Sequence, residues 1–413
     1  MEDILKITCG IDWAEKHHDI ALINDDGALV AKARITESVE GFQTLLTMLT
    51  EAGDSSDCPI PVAIETPRGL LVAALRATGR PVYPINPMAV ARYRERYSAS
   101  GKKSDHADAV VLANILRTDR HVHRPLPADT ELARSITVLA RACQDATWRR
   151  TRAGNELRSL LREYYPMMLE AAANRSGNLA TPLTRALLEL APTPAAARTL
   201  SKARIAAALR RAGRSRNIDQ VAGELHTILR RPHLRQDPLV EHAMGVQALR
   251  LLATLTTECA SIEHLSAAVE TAFQQHPDYE VITSFPGIAA QAGARLLGEI
   301  GDDRTRFTDA RSLKAFAGAA PVTRASGRSL IVSQRRIKND RLAAVGFTWG
   351  LSALNQSPGA RAHYDRRRTT GDGHAAAFRH LFNRFLGCLH HCLTTRQHYQ
   401  ETTAFPIAAP VAA

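Results

Sequence analysis

Short apolar runs and helical repeats alternate through the first hundred residues of the chain. The apolar runs predict five strands, over residues 4–11, 18–23, 28–35, 61–64 and 81–86. Asn24–Gly27 is a hairpin turn between the second and third strands, and apolar residues then recur at helical spacing from Val39 to Leu49. Helices are also predicted over 69–77 and 87–97. The predicted order is β-β-β-α-β-α-β-α, with three antiparallel strands followed by parallel strands that helices connect.

Four acidic residues fall where this layout would bring them together. Asp12 lies on the first strand and Glu65 ends the fourth, while Asp105 and Asp108 lie three residues apart on a later helix that Ser104 caps. Open α/β sheets bind ligands at the carboxyl ends of their strands, where these acids converge. Four carboxylates in one cleft repel each other unless divalent metal separates them. The pattern predicts an RNase H-like domain with a two-metal site for phosphodiester chemistry, although acids at a helix start also occur for dipole reasons alone.

A second class of protein begins in the same way. Sugar kinases and actin-like ATPases also open with a strand that ends in Gly-Ile-Asp, which here is Gly10-Ile11-Asp12. In those proteins, glycine and hydroxyl residues follow the Asp and cradle a phosphate. This chain continues with Trp13-Ala14-Glu15-Lys16, which forms no such loop, so the pattern disfavours an ATPase.

Helical periodicity dominates from about Leu126 onward. A long basic helix is predicted from Leu132 to Glu170, and short basic helices are predicted over 195–235. A second long helix over Leu239–Phe273 carries an apolar seam, which we interpret as a coiled-coil or bundle contact that favours self-association. The middle of the chain is therefore predicted to be all α-helical.

The C-terminal part is predicted to be mainly helical as well. Phe285-Pro286-Gly287-Ile288 and the helix after it are similar to a helix-hairpin-helix element, whose turn offers backbone N–H groups to phosphate. We interpret Thr323–Ser329 as a polar loop, and a last helix covers Ala375–Leu393. Cys388 and Cys392 on that helix have the spacing of zinc ligands, but no second pair accompanies them. The predicted division is an α/β domain, a helical and coiled-coil region, a mainly α domain and a tail, over 1–125, 126–278, 279–400 and 401–413.

The charge of the chain indicates its partner. The formal charge is +12 at pH 7, and 45 of the 53 basic residues are arginine. Arginine binds phosphate through two parallel hydrogen bonds, so nucleic acid is the expected partner, although a GC-rich coding sequence would also enrich arginine. The six scattered cysteines, with no signal-like segment and no run of membrane-span length, predict a reduced, cytoplasmic protein without a membrane partner.

The motifs of the two halves together resemble those of the DEDD-type insertion-sequence transposases, the family of bridge-RNA-guided serine recombinases. At the front the resemblance rests on Gly10-Ile11-Asp12, Ile64-Glu65, Ile85-Asn86-Pro87 and Lys103-Ser104-Asp105-His106-Ala107-Asp108-Ala109. At the back it rests on Pro286-Gly287-Ile288, Glu299-Ile300-Gly301, Phe316-Ala317-Gly318-Ala319-Ala320-Pro321 and Ser326-Gly327. These motifs occur in the family's order and span almost the whole chain.

The resemblance implies a RuvC-like first domain whose Asp12, Glu65, Asp105 and Asp108 bind Mg²⁺ or Mn²⁺. It also implies a serine transposase domain at the C-terminal end, in which Ser326 is the nucleophile. By the same resemblance the middle of the chain would be a coiled-coil dimerisation region, and dimers would assemble into a tetramer. The resemblance further implies that a noncoding bridge RNA pairs with donor and target DNA, and that the protein acts at the nucleoid of a bacterial cell.

Cationic residues beside these motifs are candidate phosphate contacts. Arg324 and Arg328 flank Ser326, and Lys102 and Lys103 precede the acidic helix. Two other functions stay open. A RuvC-like nuclease that hydrolyses DNA junctions has no need of Ser326, and an inactive nucleic-acid-binding protein would use the acids for stability alone.

Two further positions have no assigned role. His106, between the two aspartates, either supports the metal ligands or is a solvated helix position. Ile337-Lys338-Asn339 departs from the Ser-Lys-Gly that the family often has there, so no contact is assigned to it.

Overall fold

The structure is a computed structural model that describes residues 7–97, 105–173 and 177–406 of the 413-residue chain. The chain divides into two compact units, Met1–Ala128 and Asp129–Ala413. Among the described residues, no helix is both long enough and apolar enough to cross a membrane.

The first unit is a five-stranded sheet with helices on both faces. Its strands are β1 (Thr8–Trp13), β2 (His17–Ile23), β3 (Leu29–Thr36), β4 (Val62–Ile64) and β5 (Val82–Pro84). Its helices are α1 (Val39–Glu51), α2 (Leu70–Ala77), α3 (Pro87–Tyr97) and α4 (Asp105–Asp119), and a 3-10 turn follows at Arg120–Val122. This is the order that the apolar runs and helical repeats predict.

Antiparallel and parallel strands lie side by side in the order β3-β2-β1-β4-β5. β1 pairs antiparallel with β2, and β2 with β3, whereas β4 pairs parallel with both β1 and β5. Cys9 and Ile11 of β1 are fully buried in a cluster with Leu45 of α1 and Leu75 of α2. Because side chains alternate along a strand, residues 8, 10 and 12 point to the opposite face of the sheet, which α4 covers.

The contact between α4 and β1 is unusually close because Gly10 has no side chain. A Cβ atom at Gly10 would overlap the carbonyl oxygen of Ala109 and the nitrogen of Ala113. Two residues earlier, the hydroxyl of Thr8 donates to the carbonyl oxygen of Ala113, at 3.2 Å. α4 therefore runs antiparallel to β1. The first turn of α4 therefore lies at the end of β1 that carries Asp12.

We expect Gly10→Ala to destabilise the first unit by about 2 kcal/mol or more, because the added methyl group must push α4 away from β1. The matched control is Gly223→Ala, at a helical glycine of the second unit where nothing lies within 4 Å of the added Cβ. That change should be neutral or stabilise by about 0.5–1 kcal/mol, the usual helical preference for alanine. Thermal unfolding of the two full-length variants measures both effects. Equal stability of Gly10→Ala and wild type would contradict the close contact.

Over its described residues, 129–173 and 177–406, the second unit is helical apart from one hairpin, β6 (Val322–Ser326) and β7 (Ser329–Ser333). Its first helices are α5 (Glu131–Tyr164), α6 (Pro166–Ala173), α7 (Pro182–Leu190), α8 (Pro194–Arg198), α9 (Lys202–Arg211), α10 (Ile218–Arg230) and α11 (Pro238–Gln274). The remaining helices are α12 (Tyr279–Thr283), α13 (Ala290–Ile300), α14 (Ala310–Phe316), α15 (Asp340–Ala353), α16 (Pro358–Thr369), α17 (His374–Thr395) and α18 (Glu401–Ala404), with a 3-10 turn at Arg304–Arg306.

The two long helices α5 and α11 pack against each other in opposite directions. Cys143 of α5 meets Ser266 of α11, and further along Arg149 pairs with Glu258. The predicted seam of α11 lies in this packing, since Leu252 and Leu255 are buried in one cluster with leucines of α5. That part of the seam is therefore a bundle contact inside the chain, and self-association through this region stays a prediction.

One predicted helix boundary was wrong. The helical pattern from Leu132 to Glu170 forms two helices, because α5 ends at Tyr164 and α6 begins at Pro166. Proline lacks the N–H that would bond one turn back, and its ring clashes with the preceding turn. Tyr165 between the two helices is fully buried, so the break is part of the core rather than a linker.

Candidate active site

Asp12 and Glu65 lie at the carboxyl edge of the sheet on neighbouring strands. β1 and β4 run parallel, with Ile11 directly opposite Ile64. Asp12 directly follows Ile11, and Glu65 directly follows Ile64. Both acids are half-buried. The structure therefore brings together the two acids that the strand pattern predicts at this edge.

Asp108 of α4 is buried, and Arg94 of α3 holds its carboxylate. The Nε and Nη2 atoms of Arg94 lie 2.8 and 2.6 Å from Oδ1 of Asp108. A buried carboxylate needs a cation or several hydrogen-bond donors, and the guanidinium supplies both. Asp105 is the first residue of α4, but its side chain lies outside the described part of the chain, as do Lys102 and Lys103.

Sequence reasoning missed a further acid at this site. Asp19 of β2 pairs directly with Asp12 of β1, so the two side chains point to the same face of the sheet. Asp19 is buried, with an exposed fraction of 1%. Arg34 of β3 donates to both of its oxygens, at 3.1 and 2.8 Å, and Nδ1 of His106 lies 2.7 Å from Oδ1. The sequence of β2 could have indicated this, because side chains alternate along a strand. In an antiparallel hairpin with β1, residues 17, 19 and 21 can lie on the face of the sheet that carries Asp12.

The chemistry of the donors fits a hard divalent cation, although a complete ligand set is not assembled by the side chains that the structure describes. Among those side chains, no group of three His, Cys, Asp or Glu residues could hold a metal ion. Asp12, Glu65 and Asp108 offer carboxylate oxygens, which are the ligands that Mg²⁺ and Mn²⁺ prefer. Arg94 supplies the positive charge at Asp108 in this arrangement.

Ser326 does not lie in a loop, which corrects the interpretation of Thr323–Ser329. It is the last residue of β6, paired with Ser329 across the two-residue turn Gly327-Arg328. Gly327 has a positive φ of +54°, which suits glycine in so tight a turn. β-branched and aliphatic residues on both sides of the turn carried the hairpin signal. Arg324 points to the same face as Ser326, two residues along the strand, and both side chains are exposed.

Two other sequence motifs have internal roles. In the segment similar to a helix-hairpin-helix turn, the N–H of Gly287 donates to the side chain of Gln356, at 2.9 Å. Asn339, in the segment that departs from Ser-Lys-Gly, caps α15 and donates to the buried Glu299, at 2.7 Å. Both motifs thus make polar contacts within the second unit, the first at its surface and the second to a buried carboxylate.

The cysteine pair of α17 has thiols rather than thiolates at neutral pH. Burial raises the pKa of both Cys388 and Cys392. A zinc ligand is a thiolate, so each of these thiols would have to lose its proton on binding zinc.

Comparisons with known proteins identify the class and the family. An IS110-type DEDD model described as "Transposase" matches residues 9–166, and one described as "Transposase IS116/IS110/IS902 family" matches residues 279–365. The chain is 58% identical to the IS117 mini-circle protein of Streptomyces coelicolor, whose name calls it a transposase, over 98% of each chain. It is 29% identical to a 42 kDa protein of insertion element IS900 from Mycobacterium paratuberculosis, over 96% of this chain and 98% of that protein.

A third relative is a 43.6 kDa protein of insertion element IS110 from Streptomyces coelicolor, 27% identical over 87% of this chain and 84% of that protein. These matches define the class of protein, a transposase, which is an enzyme that acts on DNA to move an insertion sequence. The chain belongs to the IS116/IS110/IS902 family of transposases.

We expect Arg94→Gln to lower the free energy of unfolding of the first unit by about 2 kcal/mol at neutral pH, because Asp108 would stay buried without its cation. Adding Asp108→Asn removes the buried charge, so the double variant should regain most of the loss. Urea unfolding of the metal-free, full-length variants measures both changes. Losses that simply add in the double variant would show that the two side chains do not stabilise each other.

Proposed function

We propose that this transposase cuts and rejoins DNA strands through a covalent serine–DNA intermediate, with divalent metal held by four carboxylates. The observation that carries the metal-dependent part of the proposal is the arrangement of Asp12, Glu65 and Asp108 around one edge of the sheet. The order of antiparallel and parallel strands supports an RNase H-like, RuvC-like fold for the first unit. The match of the front half to a DEDD transposase model supports the same tetrad.

In this proposal Asp12, Glu65, Asp105 and Asp108 would hold Mg²⁺, or Mn²⁺, because carboxylate oxygens suit both ions. The bound metal would activate an attacking hydroxyl and stabilise the charge on the leaving oxygen. Asp108 would share its carboxylate with Arg94, or exchange the guanidinium for the metal. The rigid sheet edge would keep the acids close together before DNA arrives, which lowers the cost of assembling the site.

Ser326 would supply the nucleophile. Its Oγ would form a bond to the DNA phosphorus while the bond to one bridging oxygen breaks. The serine proton would pass to a nearby base, and the freed strand end would take up a proton as a 3′ or 5′ hydroxyl. The phosphoserine link conserves the energy of the phosphodiester, so a second strand end can reverse the reaction without ATP. The exposed tip of the hairpin gives Ser326 access to a substrate as large as DNA.

The parts of the chain would divide the work. A RuvC-like domain over 1–125 would bind metal, a helical and coiled-coil region over 126–278 would form the dimer, and a serine transposase domain over 279–400 would carry the nucleophile. Dimers would assemble into a tetramer in which Ser326 of one subunit serves the carboxylates of another. Donor and target DNA would be paired with a noncoding bridge RNA, and the charge of +12 supports polyanion partners.

The second candidate is a RuvC-like nuclease that hydrolyses DNA junctions with water. The carboxylate edge favours it equally, because metal-held acids activate water as readily as a serine hydroxyl. The two functions differ at Ser326, which only the covalent reaction requires.

We expect wild-type protein, incubated with supercoiled DNA that carries the element's ends, its flanking RNA and Mg²⁺, to give a protein–DNA adduct on a denaturing gel. Ser326→Ala and Asp12→Asn should each reduce the adduct by about a hundredfold or more, because one removes the nucleophile and the other a metal ligand. The matched control is Ser329→Ala, the exposed serine opposite Ser326 in the hairpin, which should form adduct normally.

The outcomes separate the two candidates. Loss of the adduct in Ser326→Ala and with a chelator, but not in Ser329→Ala, supports the serine mechanism. Nicked DNA without any adduct, and with Ser326→Ala still active, would replace it with the hydrolytic nuclease.

Arg324 and Arg328 would stabilise the phosphate in the transition state. We expect either change to Ala to slow strand cleavage by about tenfold to a hundredfold while DNA binding is largely kept, since only the charge near the reacting phosphate is lost. Arg324 should matter more, because it shares a face of the hairpin with Ser326. Thr323→Ala, on the opposite face, is the control. Single-turnover cleavage and a binding assay at the same salt concentration measure the two quantities, and unchanged cleavage in both arginine variants would contradict this role.

A further inference from the structure

Asp19 is the most deeply buried acid near the candidate site, and the proposed mechanism does not use it. It lies opposite Asp12 in the register of β1 and β2, on the face that α4 covers. A buried carboxylate is costly unless its charge is compensated. Both oxygens of Asp19 have partners, so the surrounding structure compensates the charge of this buried carboxylate.

The partners of Asp19 come from two different elements. Arg34 reaches it from the neighbouring strand β3 and compensates its charge. His106 reaches it from the first turn of α4, with Nδ1 at 2.7 Å from Oδ1. Asp19 therefore ties β2 and β3 to the helix turn that carries Asp105 and Asp108.

Because His106 lies between Asp105 and Asp108, its contact with Asp19 affects how those two aspartates are oriented. His106 follows Asp105 directly and lies two residues before Asp108. Adjacent helix residues point about 100° apart, so a partner that fixes His106 also fixes the rotation of the turn. The same turn also carries the pair between Asp108 and Arg94 and the close packing of Ala109 against Gly10. The contact with Asp19 connects this turn to β2, the strand beside Asp12.

We propose that Asp19 is a positioning residue, which acts through His106 to hold the first turn of α4 in the orientation that lets its aspartates bind metal with Asp12. The proposal rests on the metal site proposed above. Arg34 keeps Asp19 from adding an uncompensated charge beside Asp12, so Asp19 orients the ligands without being one. Groups that orient metal ligands in this way commonly affect metal affinity by about tenfold to a hundredfold.

The test is the affinity of the full-length protein for Mn²⁺, measured by calorimetry, together with the Mn²⁺ concentration that half-activates strand cleavage. We expect Asp19→Ala and His106→Ala each to weaken Mn²⁺ binding by about tenfold. The double variant should be no weaker than either single variant, because both changes remove the same contact. His106→Asn, which can place an amide nitrogen near the position of Nδ1, should restore most of the affinity.

The matched control is Asp54→Ala, which removes a half-buried acid of the first unit that pairs with the buried Arg80, at 3.2 Å. It should lower thermal stability to a similar extent and leave the affinity for Mn²⁺ unchanged. If Asp19→Ala behaves like Asp54→Ala, Asp19 is only structural and the inference is overturned.

Asp12→Asn separates this failure from failure of the proposed function. Mn²⁺ binding that is lost in Asp12→Asn but unchanged in Asp19→Ala would leave the metal site standing and overturn the role of Asp19. Binding that is absent in wild type, or unaffected by Asp12→Asn, would overturn both.

Discussion

The candidate site depends on one packing constraint, the direct contact of α4 with β1 at Gly10. Without a side chain there, the backbone of the helix comes close enough that a single added methyl group would overlap it. This contact sets the height of α4 above the sheet, and the bond from Thr8 to Ala113 sets its direction. Rotation of the first turn is then limited by polar pairs on either side. Close backbone packing thus brings the acids together, and charge pairs decide how they point.

Much of this arrangement follows from local pattern in the sequence. Alternating apolar runs and helical repeats predict the element order of the first unit, because strand and helix periods differ along the chain. The ends of parallel strands predict that Asp12 and Glu65 lie together, and the register of β1 and β4 confirms it. The family motifs predict an insertion-sequence transposase, which the comparisons confirm. Sequence pattern was therefore sufficient for the order of the elements and for the residues that end neighbouring parallel strands.

Partners that lie far apart in sequence could not be predicted in this way. Arg94 and Asp19 each contact α4 through tertiary packing, and the sequence around them does not indicate which residue they will contact. The burial of the seam on α11 likewise depends on which helix returns beside it. The hairpin around Ser326 differs from these cases, because local sequence does indicate it. The polar residues before and in the turn are typical of a loop, but the aliphatic residues after the turn are typical of a strand.

The measurement that tests the account most directly is anomalous X-ray diffraction from crystals of the full-length protein soaked with Mn²⁺. The account predicts Mn²⁺ at the edge of the sheet, with Asp12, Glu65 and the aspartates of α4 as ligands and His106 still against Asp19. Mn²⁺ bound elsewhere, with Arg94 still paired to Asp108, would contradict the central claim that these carboxylates form the metal site.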